Sequence, residues 1–471
     1  MSLRILIDLQ GAQNNSRHRG IGRYSLALAK GIARNAGEHR VFILLNGLFS
    51  KTIEPIQSSF ATILPEDRFL VFKSPGPVSD LVLENSWRRR TAEVLREYVI
   101  DALSPDVVLV SSMVEGRADD TITSLGSLKS TVSTTAVIYD LIPLMDPDSF
   151  FKEDEERLWY HRKIDALCRA DGLFAISQST MNDAVRLLDV DPMRIRNISA
   201  AADSCFSSNV NSPDDCARVA KRYGISRRFL MHSSAFDKRK NFQGLMRAYA
   251  ALPEAVRSDF QLVLVCKLDF VGKEELTSLA ANIGLTPQDV ILTGFVPDDD
   301  LIALYTACHL FVFPSLNEGF GLPALEAMSC GTPTIGSNVT SVPEVIGRED
   351  ALFDPTSVEA ITALILKALT NTDFYQSLKT HARTQAAKFS WNVTALRAVA
   401  GMEAIVSQRS SRSDLPPTSG VAKRRSFMEA LGEVSREFTP NDLEILELAR
   451  SIDANDDAIR RLLASVAYGA A

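Results

Sequence analysis

The sequence predicts an α/β protein, with two doubly wound parallel-sheet domains and a helical tail. Three observations carry this. The chain has 471 residues, and at roughly 100–200 residues per domain that makes two large domains plus a smaller piece. Short apolar, β-branched runs alternate with longer helical patterns as far as about Ser390, the signature of parallel sheets covered by helices on both faces. The hydrophobic share of 46% and charged share of 23% supply enough apolar material for two cores.

In the first domain the expected strands are Arg4–Leu9, Arg40–Asn46, Val107–Val110, Thr135–Tyr139 and Gly172–Ile176. In the second they are Arg228–His232, Gln261–Cys266, Val290–Thr293, Leu310–Phe313 and Thr332–Gly336. Asp, Ser, Asn and Pro accumulate between Ala202 and Pro213, which sets a boundary. The expected domains are therefore 1–203 and 204–406, the latter ending in a closing helix. Residues 407–420, rich in Ser, Arg and Pro, read as a linker. A helical tail, 421–471, follows. Thr439-Pro440 resembles an N-cap with proline at the first helical position. Leu443, Ile445, Leu446 and Ile452 then form an apolar stripe, and a second helix is expected to start near Asp453–Asp456 and to run through Ile459, Leu462, Leu463 and Val466. Such stripes need burial, against another copy, a partner or the first domain.

The net charge of −7 gives no reason to expect a nucleic-acid partner. Six cysteines are widely spread with no C-x-x-C pair, so free thiols in a reducing compartment are expected. The N-terminus turns polar too quickly for a signal peptide, and no apolar run is long enough to span a bilayer. A cytoplasmic location follows as the expectation. Two short basic and aromatic patches, Ser86–Arg90 and Arg157–Lys163, allow peripheral contact with an anionic membrane or else are solvated helix faces.

The segment from Phe311 to Pro333 is the richest. An apolar strand ends at Pro314, a glycine-containing loop follows, and a helix opens near Pro323. Glycine lets backbone approach a ligand closely. A helix start offers free N–H groups and partial positive charge, which suits a diphosphate. Glu318 lies in the loop and Glu326 in the expected first turn. Both are carboxylates, so sugar and ribose hydroxyls are their natural partners. Asp237-Lys-Arg-Lys-Asn241 follows the first strand of the second domain. Its three cations can neutralise a diphosphate, or form a solvated charge run. Gly20 and Gly22, after the first strand, can bring backbone against the same group or simply make a turn. Asp140 ends a buried strand and is a sugar contact or a turn cap. Ser177 has the same ambiguity at the next helix.

These motifs resemble those of retaining glycosyltransferases of family 4. Phe-Pro-Ser-x-x-Glu-Gly-Phe-Gly-Leu-Pro-x-Leu-Glu is most similar to the O-antigen mannosyltransferase branch, and the resemblance covers roughly residues 3–400. It implies the GT-B arrangement, two Rossmann-like domains facing a cleft, and retention at the anomeric carbon. It assigns Glu318 to the donor sugar and Glu326 to the ribose. Lys240, with Arg239 in support, goes to the phosphates, and backbone of Gly319, Phe320, Gly321 and Leu322 to sugar and diphosphate. The Gly-Ile-Gly-Arg-Tyr motif assigns Gly20 and Gly22 to the donor, with His18, Arg17 and Arg19 near acceptor or phosphate. Gly294-Phe295-Val296-Pro297 resembles a base-binding turn. Tyr139 stands where the family has histidine and Ser234 where it favours glycine. Asp140 matches the family and is expected to orient the acceptor; Tyr139 and Ser177 are further sugar contacts. GDP-mannose is the favoured donor, and a lipid-linked or growing glycan the favoured acceptor. No Asp-x-Asp occurs in the donor segment, so no metal is required. A nucleotide-sugar epimerase and a catalytically weak scaffold subunit are the competing readings.

Overall fold

The structure, a computed structural model, describes residues 2–18, 20–206, 212–410 and 420–468. Arg19, most of the expected linker and part of the 202–213 boundary lie outside the described residues, as does the side chain of Val466. The chain divides into two compact units. The first comprises 1–176, 181–198 and 391–471, and the second 177–180 and 199–390.

The first unit holds a seven-stranded parallel sheet in the order β3-β2-β1-β4-β5-β6-β7. Its strands are β1 (Arg4–Asp8), β2 (Arg40–Asn46), β3 (Phe69–Phe72), β4 (Val107–Val110), β5 (Ser133–Ile138), β6 (Gly172–Ala175) and β7 (Ile195–Asn197). The second unit holds six parallel strands in the order β10-β9-β8-β11-β12-β13. These are β8 (Arg228–Ser233), β9 (Phe260–Val265), β10 (Val290–Leu292), β11 (Leu310–Phe313), β12 (Thr334–Ser337) and β13 (Leu352–Phe353). Both strand orders reverse direction beside the first strand, which makes each unit doubly wound and places functional loops at the carboxyl ends. All ten expected strands form. The three that the sequence pattern does not announce, β3, β7 and β13, are all edge strands. An edge strand pairs on one side only, so it can be short and carry a weak pattern.

The closing helix expected in the second domain belongs to the first unit. Helix Trp391–Ser410 packs under the first sheet, where Trp391 meets Tyr24 edge to face at 5.1 Å. Glycines permit the approach. A Cβ on Gly31 would lie 2.9 Å from the Trp391 carbonyl oxygen, and one on Gly401 would lie 2.5 Å from the Phe174 ring. Residues 407–410 thus continue this helix and are not linker.

The tail docks on helix Ser86–Leu103 of the same unit. Phe427, from helix Gly420–Glu437, stacks on Tyr98 at 4.3 Å, and Leu431 and Val434 join Trp87, Val94 and Leu95. Two tail expectations are corrected. The last helix starts at Asp442 rather than Pro440, because Asn441 and Glu444 form a reciprocal capping box with both bonds at 3.0 Å. It then runs unbroken to Tyr468, straight through the expected restart at Asp453–Asp456. The polar cluster there has another use. The Asn455 side-chain amide accepts from Lys73 N at 2.7 Å and donates to Lys73 O at 2.8 Å, just past edge strand β3. Among the described residues no helix is long and apolar enough to cross a membrane.

Candidate active site

In the second unit the loop after β8 and the loop after β11 meet. Asp237 caps a short 3-10 turn, its Oδ1 accepting from Arg239 N at 2.9 Å. Asn241 then adopts a left-handed conformation with φ 57°. Its amide donates to the carbonyls of Pro314 and Pro355, and its Oδ1 accepts from Gly244 N at the next helix start. Leu316 N donates to Arg239 O at 2.7 Å, tying the loops directly. Asn241 closes the basic motif in the sequence, but its pinning role is visible only in the fold.

This scaffold brings Glu318, Lys240 and Arg239 together. Lys240 Nζ lies 2.5 Å from Glu318 Oε1, and Arg239 Nη1 lies 3.5 Å from Oε2. Lys240 and Glu318 are buried, whereas Lys238 is exposed. The charge run is therefore not uniformly solvated; its third cation points inward. The loop beyond Glu318 is fixed by its carbonyls. Ser341 Oγ donates to those of Glu318 and Phe320, and Thr180 Oγ1 to that of Gly319. Thr340 Oγ1 accepts from Glu318 N at 3.1 Å. Ser341 and Thr340 are not legible in the sequence, because nothing in their local pattern points back to the Glu318 loop.

Gly321 has φ 107° and caps helix Leu322–Ser329, and a Cβ there would crowd the Phe313 ring at 3.3 Å. At this helix start Pro323 carries no N–H and Ala324 N donates to the Gly321 carbonyl at 3.1 Å, which leaves the Leu322 N–H and the positive end of the helix dipole to favour an anion. The Phe320 side chain is core, edge-on to Phe389 at 5.7 Å, so a ligand role falls to its backbone. Glu326 is the fifth residue of the helix, just past the first turn in which it was expected, since the helix begins at Leu322. Its Oε2 accepts from the Tyr305 hydroxyl at 3.1 Å, and Ser233 Oγ lies 2.6 Å from that hydroxyl. Burial holds the Tyr305 phenol far above its ordinary range, so it stays a donor. Beyond β10, Gly294 takes φ 73°, Phe295 is 71% exposed and Val296 is buried.

Ser234, the departure from glycine, has a defined partner. Its hydroxyl lies 3.0 Å from His232 Nε2, while His232 Nδ1 faces the Val312 carbonyl at 3.1 Å. Burial pushes this imidazole down to about 3, so it is neutral, with Nδ1–H donating to Val312 and Nε2 accepting from Ser234. Ser177 is fully buried, and its Oγ accepts from Thr180 N at 2.9 Å, which is the capping role.

In the first unit, the helix Gly20–Arg34 starts behind the turn Asn15–His18. Gly22 is required by that turn, for a Cβ would lie 2.3 Å from Arg17 Cα; Gly20 faces open space. Arg17 and His18 are exposed. The Tyr139 hydroxyl donates to Ser111 O and pairs with Ser25 Oγ, both at 2.9 Å, and the ring meets Tyr24 edge to face. The tyrosine that replaces histidine is thus a pin between strand end and helix. Asp140 Oδ1 accepts from Ile142 N at 3.1 Å, the turn-cap bond. Asp140 also lines a cavity of about 140 Å³ with Ile21, Ser112, Tyr139, Leu141 and Tyr160. Glu115, which no sequence motif singles out, is buried and accepts from Asn14 Nδ2 at 2.8 Å and Ser112 Oγ at 2.9 Å. Burial raises its carboxyl to about 7. Its place shortly after β4, at the carboxyl end of the sheet, was the available signal.

Two Rossmann-like units, with a cation pair and a glycine-capped helix at the strand ends of the second, define a nucleotide-sugar transferase class of protein. Residues 220–385 match the family model described as glycosyl transferases group 1. O-antigen chain mannosyltransferase B of Escherichia coli is 31% identical over 380 residues, covering 79% of this chain and 92% of that protein. The chain belongs to the glycosyl transferases group 1 family. The serotype-specific mannosyltransferase WbdA of Escherichia coli is 39% identical over 439 residues, covering 92% of this chain and 52% of that protein. The chain therefore spans about half the length of these WbdA relatives. Among solved structures, Anabaena Alr3699/HepE in complex with UDP and glucose superposes with a TM-score of 0.59 at 18% identity, covering 87% of this chain and 100% of that one. A glycosyltransferase from Rickettsia africae gives 0.61 at 14% identity, covering 86% and 99%. At these identities the likeness is one of fold, the GT-B type.

Proposed function

We propose that this chain is a retaining hexosyltransferase that moves mannose from GDP-mannose to a growing polysaccharide or lipid-linked glycan. The observation that carries the reading is the buried Lys240–Glu318 pair, with Arg239 beside it, in the loop that ends at the Gly321 helix start. Before donor arrives, Glu318 keeps the cations in place. A diphosphate offers more negative charge, so Lys240 and Arg239 turn to it, and Glu318 is released to accept from a sugar hydroxyl. Glu326, steadied by Tyr305, accepts from the ribose, and the Gly294–Pro297 turn meets the base. Asp140 orients the acceptor in the first unit. The bond from the anomeric carbon to the diphosphate breaks as the acceptor oxygen bonds to the same face. The acceptor proton passes to the departing phosphate. Charge growing on the leaving group is stabilised by the cations and the helix start, with no metal required. The mannosyltransferase relatives favour mannose over other hexoses. The same reading puts the enzyme in the cytoplasm, peripheral to the membrane that carries the acceptor.

The test is a thermal-shift screen across GDP-, UDP-, dTDP- and ADP-sugars, followed by product analysis with and without EDTA. GDP-mannose should raise the midpoint most, and mannose should transfer in EDTA. Binding without transfer to any glycan acceptor favours a scaffold, and conversion of donor alone favours an epimerase; either outcome refutes the reading.

A further inference from the structure

A second charged cluster lies in the first unit, made of residues that the donor chemistry does not use. Asp80 is buried and faces three guanidinium groups: Arg89 at 2.8 Å, Arg117 at 3.1 Å and Arg162 at 2.5 Å. Next to it Glu93 faces Arg90 at 2.6 Å and Lys163 at 3.7 Å. Five cations thus meet two carboxylates, an excess of three positive charges in a protein whose net charge is −7. Glu115 acts on Lys163 from a further side, and counting it as ionised still leaves an excess of two.

The cluster is also short of acceptors. Arg89 Nε and Arg162 Nε are buried and have no hydrogen-bond partner among the described residues. A buried guanidinium donor without an acceptor is costly, and an anion is its natural complement. The site is reachable, because the Arg162 side chain is 38% exposed while Arg89 and Arg117 lie deeper.

An apolar lip adjoins the cluster. Leu81, Val82 and Leu83 follow Asp80 directly and are 57%, 44% and 74% exposed. Main-chain bonds from Asp80 N to Gly116 O and from Leu81 N to Arg117 O hold this segment against the arginines. Leu158, 69% exposed, stands one helical turn before Arg162. The acidic residue Asp154 lies a further turn away, on the far side of Leu158 from Arg162. Guanidinium groups recognise phosphate bidentately, and exposed leucines beside them favour a ligand that is itself amphiphilic.

We propose that Arg89, Arg117 and Arg162, with the Leu81–Leu83 lip, bind a phosphate or diphosphate group carried on an apolar chain. The site is separate from the donor site; only the identity of its ligand, the lipid-linked end of the acceptor, rests on the transferase reading.

Calorimetry on the purified chain with saturating GDP present uses three probes: farnesyl diphosphate, inorganic pyrophosphate, and vesicles with and without phosphatidylglycerol. Farnesyl diphosphate should bind at least tenfold tighter than pyrophosphate. Arg162→Gln should weaken both at least tenfold, while Leu83→Ser should weaken farnesyl diphosphate alone. GDP affinity should be unchanged in both variants and both should stay folded at the titration temperature by circular dichroism, so a failure of this site is distinguishable from a failure of the donor reading. Equal affinity for the two diphosphates would overturn the apolar carrier and leave a free-phosphate site. Affinities untouched by Arg162→Gln would overturn the cluster. Binding to phosphatidylglycerol vesicles without any to farnesyl diphosphate would replace the single-ligand site by a bilayer contact.

Discussion

Replacing Lys240 by methionine separates the two tasks that the geometry gives this side chain. Its ammonium sits 2.5 Å from Glu318, and both residues are buried. Removing one partner of a buried pair costs about 3–5 kcal/mol, because the other charge stays desolvated. Arg239 remains at 3.5 Å and is only partly buried, so the lower end, about 3 kcal/mol, is expected. For a unit of this size that lowers the thermal midpoint by about 6–12 °C. The double variant Lys240→Met/Glu318→Gln removes the stranded charge and should regain most of the loss. Nucleotide affinity should behave differently. A charge-assisted hydrogen bond contributes about 1.5–3 kcal/mol, so GDP should bind about 10–100-fold more weakly to both the single and the double variant. Differential scanning fluorimetry and GDP titration read the two effects separately. A single variant that melts within about 1–2 °C of the parent, equivalent to ~0.5 kcal/mol, would show the pair to be solvent-screened. Unchanged GDP affinity would remove Lys240 from the phosphates.

Three further perturbations probe other parts of the fold. Gly22→Ala should destabilise the first unit by about 1–3 kcal/mol, since its Cβ would overlap Arg17, while Gly20→Ala, which meets nothing, should be close to neutral; urea melts compare them. Glu115 has a carboxyl raised to about 7 in the folded protein, so the stability it contributes is present below about pH 4.5 and is lost as pH rises through 7. The loss is about 3 kcal/mol, and the midpoint should fall between about pH 5 and 7.5 in the parent but much less in Glu115→Gln; parallel slopes would refute the assignment. Phe427→Ala should cost about 3–5 kcal/mol by opening a cavity against Tyr98, with near-native transferase turnover below the melting range, as measured by product formation.

Much of this protein is written locally. The ten expected strands announce themselves as apolar runs because a strand buried on both faces has no polar side to show. The helix start at Gly321 is legible too, from a glycine that must take positive φ and a proline placed just inside. So is the presence of acidic and basic motifs at the strand ends. Other features were decided by contacts between distant segments. Whether Lys240 joins a solvated run or a buried pair depends on Asn241 reaching Pro314 and Pro355. Tyr139 reads as a sugar contact in the chain, and that its hydroxyl also pins the strand end to a helix depends on Ser25 and the Ser111 carbonyl lying beside it. The helix Trp391–Ser410 follows the second sheet in sequence yet packs on the first, where Gly31, Gly172 and Gly401 leave room for it. Local sequence fixes periodicity, turn chemistry and helix ends, which depend on a few neighbouring residues. It does not fix which surfaces meet, because that depends on shape and charge supplied by residues far away along the chain.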